Sequence, residues 1–351
     1  MKARRQQAAN HKEIPLTNLV NSGLFARELQ AQLEQLLYHW GVSSPDATIT
    51  AGVLVEATLE GRSGHGVERI LEMVAGFKKG TLVANSKVTI LVDWPSLVHF
   101  DGGYGLGPPL AERAMRAAMK KAATQGCATA GTCNSGHIGP LGYYTALAAR
   151  EGFVALAMTT SSPAMVVPGG NTALLGTNPI AISYPSNDGT VTADFSTSAI
   201  PRGTVLRARE NGELLPEGVA VDARGMPTRD PEEALQGGLL PIGGGIKGML
   251  LALAVSMFAG PLVGGIPNQD VTGTLQLDEP PTKSDWFYCQ QIVSLELLKQ
   301  QASTQLETMR RNSAAFHAPG AGSAARRKEA LDKPILISSE LAQLLREAGL
   351  L

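Results

Sequence analysis

Gly102-Gly103-Tyr104-Gly105-Leu106-Gly107, with Pro108 and Pro109 directly behind it, is the stretch on which the fold reading turns. It follows a segment that reads as a strand and precedes one that reads as a helix. That is the context in which a dinucleotide-binding βαβ unit carries its glycines. The spacing does not match. Gly103, Gly105 and Gly107 alternate where G-x-G-x-x-G is required, and the two prolines follow at once. Residues 121–127, where an acidic side chain should stand to hold a ribose hydroxyl, contain none. A tight turn that lets backbone segments approach closely is the better reading. The fold is then one that is not built on the Rossmann unit.

Working outward from this stretch, the period of the apolar residues changes. Phe25, Leu29, Leu33, Leu36 and Leu37 recur at three- and four-residue steps and predict a helix over 25–40, stopped by Gly41. Ser44 followed by Pro45 is a start signal, a capping hydroxyl with proline in the first turn, for a second helix to about Leu59. Val67, Ile70, Leu71, Val74 and Phe77 predict a third over 67–79, ended by Gly80. Strands are expected over 87–92 and 96–100, then a helix over 109–124 and another between Gly142 and Gly152. Phe153–Thr159 is a continuous apolar run, as a strand covered on both faces requires. Two further strands are expected over 180–184 and 190–195, and 210–240 reads as loop with short turns. Residues 249–263 read as a buried core helix. They are too few for a span of about 20 residues and are broken by Gly260 and Pro261. The Ala/Gly/Ser stretch 314–325 reads as the most flexible segment. Strands mixed with helices predict an α/β architecture, layered α/β/α with a mixed sheet. The division expected is a helical subdomain over 1–85, an α/β domain over 86–245, and a helical and α+β part over 246–351 that completes the first.

The 351 residues are enough for two or three packed subdomains, and 44% apolar with 17% charged residues describes a compact chain. A net charge of -1 and only 5% aromatic residues argue against nucleic acid as a partner, which needs a basic face or stacking platforms. Cys127, Cys133 and Cys289 form neither a CxxC pair nor a disulfide framework, and they read as three reduced thiols with no metal site. Residues 1–13 are basic and polar, without the apolar core of a signal peptide. The expectation is a cytoplasmic protein with no membrane partner.

Four segments carry chemistry. The first is Gly61-Arg62-Ser63-Gly64-His65-Gly66-Val67-Glu68-Arg69, in which His65 and Arg69 stand four apart and share a face if a helix begins there. The second is Asn134-Ser135-Gly136-His137-Ile138-Gly139-Pro140-Leu141-Gly142. The third is Leu175-Gly176-Thr177-Asn178-Pro179, followed by Asp194-Phe195-Ser196-Thr197-Ser198. The fourth is Gly243-Gly244-Gly245-Ile246-Lys247-Gly248, which lacks the GK[ST] of a Walker loop and stands equally as an anion site at a helix start or as a plain loop. Blander readings stand beside each. Arg69 could be a helix charge pairing with Glu68 or Glu72, Asp194 a turn cap, and each histidine a solvated residue among glycines.

In this order the four segments resemble the malate/L-lactate dehydrogenase family, which also includes sulfolactate and ureidoglycolate dehydrogenases and the Δ1-piperideine/pyrroline-2-carboxylate reductases. LGTNP with D-x-[AS]-TS is the most specific part, and the resemblance is strongest over 61–265. It implies a sulfolactate dehydrogenase-like α/β/α fold, a homodimer, and NAD or NADP bound without a Rossmann motif, with 86–245 as the cofactor-binding domain. Carried over by position, His65 would donate a proton, and His137 is the alternative acid/base. Arg69 would hold the substrate carboxylate, with Thr177, Arg202 and Gly203 around the substrate. His137, Ile138, Gly139, Pro140 and Leu141 would line the cofactor, with Asp194, Phe195, Ser196, Ile246 and Lys247. The chain departs from the family pattern at Gly64, where a serine usually precedes the histidine, and at Ile138, Thr204 and Ile246.

The chemistry is coherent. Reduction of a 2-oxo acid needs a hydride, a proton for the developing alkoxide and a cation for the carboxylate. A nicotinamide cofactor, an imidazole of near-neutral pKa and a guanidinium fork supply these. The function expected is interconversion of a small 2-oxo acid and its 2-hydroxy acid. Reduction of a cyclic ketimine carboxylate is the alternative within the family. A member that binds nucleotide without turnover, prompted by Gly64, is the alternative outside enzymology.

Overall fold

The first helix, α1 (Ala26–His39), forms because Leu29, Leu33, Leu36 and Leu37 share one face, and all four are fully buried. The computed structural model describes residues 23–273 and 278–351, so the basic segment 1–13 lies outside the described residues. In α2 (Ser44–Leu59) the cap position is held by Ser43, not Ser44, because Pro45 already sits in the first turn and draws Ser44 into the helix. Helix α3 (Arg69–Lys79) ends at Gly80, whose φ of +72° is the left-handed stop that glycine adopts freely. These helices pack into one apolar cluster with Ile335, Ile337, Leu341, Ala342 and Leu345 from the end of the chain.

Strands β1 (Thr89–Trp94) and β2 (Leu97–Gly105) follow, then α4 (Gly107–Gln125) and β3 (Cys127–Ser135). The glycine-rich stretch is thus the end of β2 and the start of α4, with Gly103 and Tyr104 at φ +56° and +59° where the β2–β3 register shifts. A Cβ on Gly107 would lie 2.3 Å from the Gly136 carbonyl oxygen and 2.6 Å from that of His137. The close backbone approach expected of this stretch is therefore what it provides, and it sets the segment carrying His137. Next come α5 (Leu141–Arg150), β4 (Phe153–Thr159), the short β5 (Met165–Val166) and β6 (Ala173–Leu175), then β7 (Ile180–Ser186) and β8 (Gly189–Phe195). Helix α6 (Arg202–Asn211), β9 (Ala220–Val221), α7 (Pro231–Gln236) and β10 (Gly238–Leu239) lead to α8 (Ile246–Ala259). The chain ends in β11 (Ser284–Gln291), α9 (Leu295–Asn312), α10 (Ala321–Ala330) and α11 (Ser339–Glu347).

The main sheet has the order β1-β2-β3-β11-β4-β7-β8, and only the β2–β3 pair is parallel. Phe287 and Cys289 of β11 face the α4/α5 side with Ala111, Met115 and Tyr144, while Trp286 faces the α8 side with Ala259 and Val263. This is the mixed, two-sided α/β/α layering. The smaller sheet runs β6-β5-β10-β9.

Three expectations are corrected. The apolar run at 249–263 is not a buried core helix: Leu250, Leu253, Met257, Phe258 and Leu262 are exposed along one face. It is apolar all round because one side meets the sheet and the other forms a surface patch. Ile246–Val263 has the length and apolarity of a membrane span by composition, but the helix stops at Ala259 and Pro261 opens a separate turn. The flexible reading of 314–325 fails in its second half, which is α10. Helix α6, of which 210–240 takes only the last turn, was not expected, because it is mostly polar, with Val205 and Ala208 its buried side chains.

The centre of the sheet comes from β11, in the part of the chain assigned to the last subdomain. Lys283 and Asp285 introduce it as a buried ion pair, Nζ to Oδ1 2.7 Å and to Oδ2 2.8 Å, with Thr132 Oγ1 donating to Asp285 Oδ2 at 2.6 Å. Lys283→Met would strand a fully buried carboxylate. It is expected to destabilise the fold by about 3–5 kcal/mol, read from the midpoint of urea unfolding, whereas Lys283→Met with Asp285→Leu should recover most of the loss.

Candidate active site

Two turns deliver the imidazoles. After α2, Gly61 takes a φ of +73° and the chain winds through a short turn, Ser63–His65, before α3 begins. From the opposite side β3 ends at Ser135, just after Asn134 turns left-handed, and the segment 136–140 crosses to the N-terminus of α5. The His65 and His137 rings stack with centroids 4.9 Å apart, and His65 Nδ1 lies 3.1 Å from His137 Nε2. The Gly139 N–H donates to His137 Nδ1 at 3.0 Å, so neutral His137 carries its proton on Nε2. That proton is then donated to His65 Nδ1, which assigns the His65 proton to its own Nε2. One backbone amide sets the tautomer of both rings. Burial, reinforced by the Arg69 and Arg62 charges, pulls His65 down to about 3. Burial, then Arg69, His65 and Lys283, holds His137 well below the ordinary imidazole range.

Arg69 makes the contact expected of a helix charge. Its Nε donates to the Gly64 carbonyl at 2.8 Å and its Nη1 pairs with Glu72. With His137 it also lines a cleft of about 470 Å³ whose walls include Met73, Leu82, Leu106 and Pro281. Gly64 leaves no hydroxyl before His65, and Ser63 does not replace it, because its Oγ accepts from Arg207 Nη1 at 2.9 Å. His137 orients His65 instead.

Asp194, at the end of β8, is buried and accepts from Arg62 Nη1 at 2.6 Å and from the Gly142 N–H at 3.0 Å. It thereby caps the first turn of α5 and ties β8 to the His65 turn; burial outweighs these bonds and raises its pKa. Thr177 sits where Ser161 and Thr197 converge: Ser161 Oγ is 3.3 Å from Thr177 Oγ1, and Thr197 N–H donates to the Thr177 carbonyl at 2.9 Å. Ile138 and Leu141 are buried packing residues, and Pro140 is the residue before α5. Phe195 is exposed, and Ser196 Oγ meets the Ser198 hydroxyl at 3.1 Å. Ile246 and Lys247 are exposed at the start of α8, shortly after Ile242, whose N–H donates to the Thr197 carbonyl at 2.8 Å.

Of the expected site residues, Arg69 and His137 line this cleft, whereas His65, Thr177, Asp194, Arg202 and Gly203 are not among its lining residues. Arg202 lines a second cavity of about 310 Å³ with Pro163, Val205 and Leu239, and its Nη1 donates to the Pro163 carbonyl at 3.3 Å. Its Nε and the Ser162 Oγ are buried without a hydrogen-bond partner among the described residues, and burial lowers the Arg202 pKa. Arg202 and Arg207 share α6, so the helix links this cavity to the Ser63–His65 turn. Sequence reasoning missed Arg62, Arg207, Ser161 and the Lys283–Asp285 pair. For Arg62 a signal existed, a cation inside the histidine segment.

The malate/L-lactate dehydrogenase family model matches residues 25–346. The chain is 40% identical to the malate/(S)-sulfolactate dehydrogenase of Methanothermus fervidus over 258 residues, 74% of this chain and 76% of the relative. It is 34% identical to a Δ1-pyrroline-2-carboxylate/Δ1-piperideine-2-carboxylate reductase of Pseudomonas putida over 239 residues, 68% and 70% of the two chains. Among solved structures, the sulfolactate dehydrogenase of Methanocaldococcus jannaschii superposes with a TM-score of 0.86 at 33% identity, covering 93% of this chain and 96% of that one.

The depressed imidazoles make a stability prediction. Between the ordinary value of 6.5 and about 3 for His65, the unfolded chain binds a proton that the folded chain does not. Stability therefore falls on acidification through that window, by up to about 1.4 kcal/mol per pH unit for each ring. Urea unfolding at about pH 7.5 and about pH 5 should show the loss, and His65→Asn should flatten the slope.

Proposed function

The chain belongs to the malate/L-lactate dehydrogenase family, and from that premise we propose that it interconverts a small 2-oxo acid and its 2-hydroxy acid with NAD(P)H, with His65 as proton donor and Arg69 as carboxylate anchor. The observation that carries this reading is the hydrogen-bonded imidazole pair, of which His137 lines one cleft with Arg69. A bound nicotinamide supplies the hydride. The residues present fit such a cofactor: the buried Arg202 Nε and Ser162 Oγ have no partner among the described residues, which suits an anionic or amide group docking against them. The 137–141 segment, Asp194–Ser196 and Lys247 are the further residues proposed to hold it. NAD and NADP both remain compatible with this set. Two arginines near the C-terminus that could meet a 2′-phosphate already have partners: Arg327 is engaged by both Glu56 oxygens and Arg326 by the Glu60 carbonyl.

The tautomer chain defines the proton's course. His65 presents Nε2–H, the nitrogen not engaged by His137, to the oxygen on which negative charge develops. A substrate carboxylate seated at Arg69 offsets the positive field that holds both rings neutral, so the pair takes up one proton from solvent; His65 donates it from Nε2 and the pair returns to the neutral, tautomer-matched state. Arg69 meanwhile offers its planar fork to the carboxylate. Cyclic ketimine carboxylates present the same carboxylate beside a C=N carbon, so the second reading within the family uses the same groups.

The reading extends to assembly and place. The exposed face of α8, with Leu250, Leu253 and Met257 at helical spacing, suits burial in a homodimer, and three free cysteines suit a reducing cytoplasm. No membrane or nucleic-acid partner is proposed.

Two outcomes test this. His65→Ala should lower kcat by about 10²–10⁴ while the dissociation constant of NADPH or NADH, followed by fluorescence, changes by less than about threefold. Retained turnover removes His65 from the role. Leu253→Asp with Met257→Asp should shift the mass seen in sedimentation from dimer to monomer, and an unchanged mass places the interface elsewhere.

A further inference from the structure

The cleft that His137 and Arg69 share is asymmetric in charge. Its cationic lining side chain is Arg69, whose Nη1 already pairs with Glu72 one helical turn along α3. A second carboxylate, Glu279, lines the same cleft next to Pro281. Among the described residues the wall facing them carries the apolar Met73, Leu82 and Leu106, with Thr81 and glycine backbone beside them. The neighbouring cations are matched elsewhere: Lys283 is held by both Asp285 oxygens, and Arg62 lies between Glu60 and Asp194.

A ligand seated here finds one guanidinium for one carboxylate. Beyond that it meets two carboxylates, one of them already paired with that guanidinium, and a mostly apolar wall. Malate and sulfolactate each carry a second anionic group, and in this cleft that group would stand against Glu279 with no cation among the described lining residues to receive it. A substrate whose remainder is apolar, or an imine that can take up a proton, meets no such penalty. Resting on the proposed reading of the cleft as the substrate site, we propose that this chain selects 2-oxo or cyclic 2-imino acids with a single carboxylate and an apolar remainder. Glu72 and Glu279 are the residues that exclude dianions. In this respect the chain departs from relatives named for malate and sulfolactate.

The test is a matched panel assayed with NADPH and NADH at fixed ionic strength. Oxaloacetate and 3-sulfopyruvate are the dianions; 2-oxobutyrate, 4-methyl-2-oxopentanoate and Δ1-piperideine-2-carboxylate are the monoanions. The wild-type protein is expected to show kcat/KM at least about tenfold higher for the best monoanion than for either dianion. Glu279→Gln, at an exposed position that does not endanger folding, and Glu72→Gln should each narrow that ratio by lowering KM for the dianions, with kcat for monoanions little changed for Glu279→Gln. A wild-type preference for oxaloacetate or sulfopyruvate overturns the inference alone and leaves the oxidoreductase reading standing. So does a ratio that neither substitution moves. Turnover of no compound with either cofactor overturns the oxidoreductase reading and the inference with it.

Discussion

The pairing of β11 between β3 and β4 is the constraint on which the site depends. Seven registered pairs on each side, from Ser284↔Cys133 to Gln291↔Phe153, fix where β3 ends. His137 hangs two residues beyond that end, so the position of an imidazole is decided by a strand about 150 residues later in the chain. The Lys283–Asp285 pair sits at the first rung of this pairing and is fully buried. A hydrophobic pair there would pack as well or better in energy terms. What the ion pair adds is a fixed positive charge near His137, and with it a bias toward the less protonated ring.

That bias explains how two stacked imidazoles coexist under a guanidinium. Two protonated rings at this distance would repel each other and Arg69; two neutral rings can share hydrogen bonds if their tautomers agree. The Gly139 N–H enforces the agreement, and Gly139 itself can present it because its φ is +78°, a conformation glycine adopts without strain. An anion arriving at Arg69 offsets part of the positive field and raises the proton affinity of the pair. In the proposed reading, substrate binding and proton handling are therefore coupled through one charge.

Much of this was legible in the sequence, for reasons that differ by residue. The helices α1 to α3 follow from leucine and valine spacing, but the shared helix face expected for His65 and Arg69 does not form, because Ser63–His65 is a separate turn, Gly66 is extended and α3 begins only at Arg69. Phe153–Thr159 was read to its exact limits because a strand covered on both faces has no polar interruptions. Strand β11 was not read, since Ser284, Asp285 and the two glutamines at its end look like a turn; the acid is tolerated in the core only because Lys283 and Thr132 satisfy it, which no local pattern encodes. Arg62 pairs with Asp194 across 132 positions of sequence, a contact that only the sheet can create. The role of α8 was misjudged because apolar composition does not say whether the second face meets the protein or a partner.

Asp194 shows how these long-range contacts convert a weak local signal into a site. By itself the residue reads as a turn cap, and it does cap α5 through Gly142. The same oxygen receives Arg62, which stands three residues before His65. A single buried carboxylate therefore fixes the helix N-terminus that follows His137 and the turn that carries His65. If the two imidazoles are to stay within hydrogen-bond reach of each other, both segments must be held from outside the pair, since the 3.1 Å contact between neutral rings is too weak to align two loops alone. Asp194 supplies that restraint from β8, and Gly107 supplies it from the start of α4 by admitting the His137 backbone to close contact. The two imidazoles are thus positioned by contacts that reach them from opposite sides of the chain's fold, not by their own hydrogen bond.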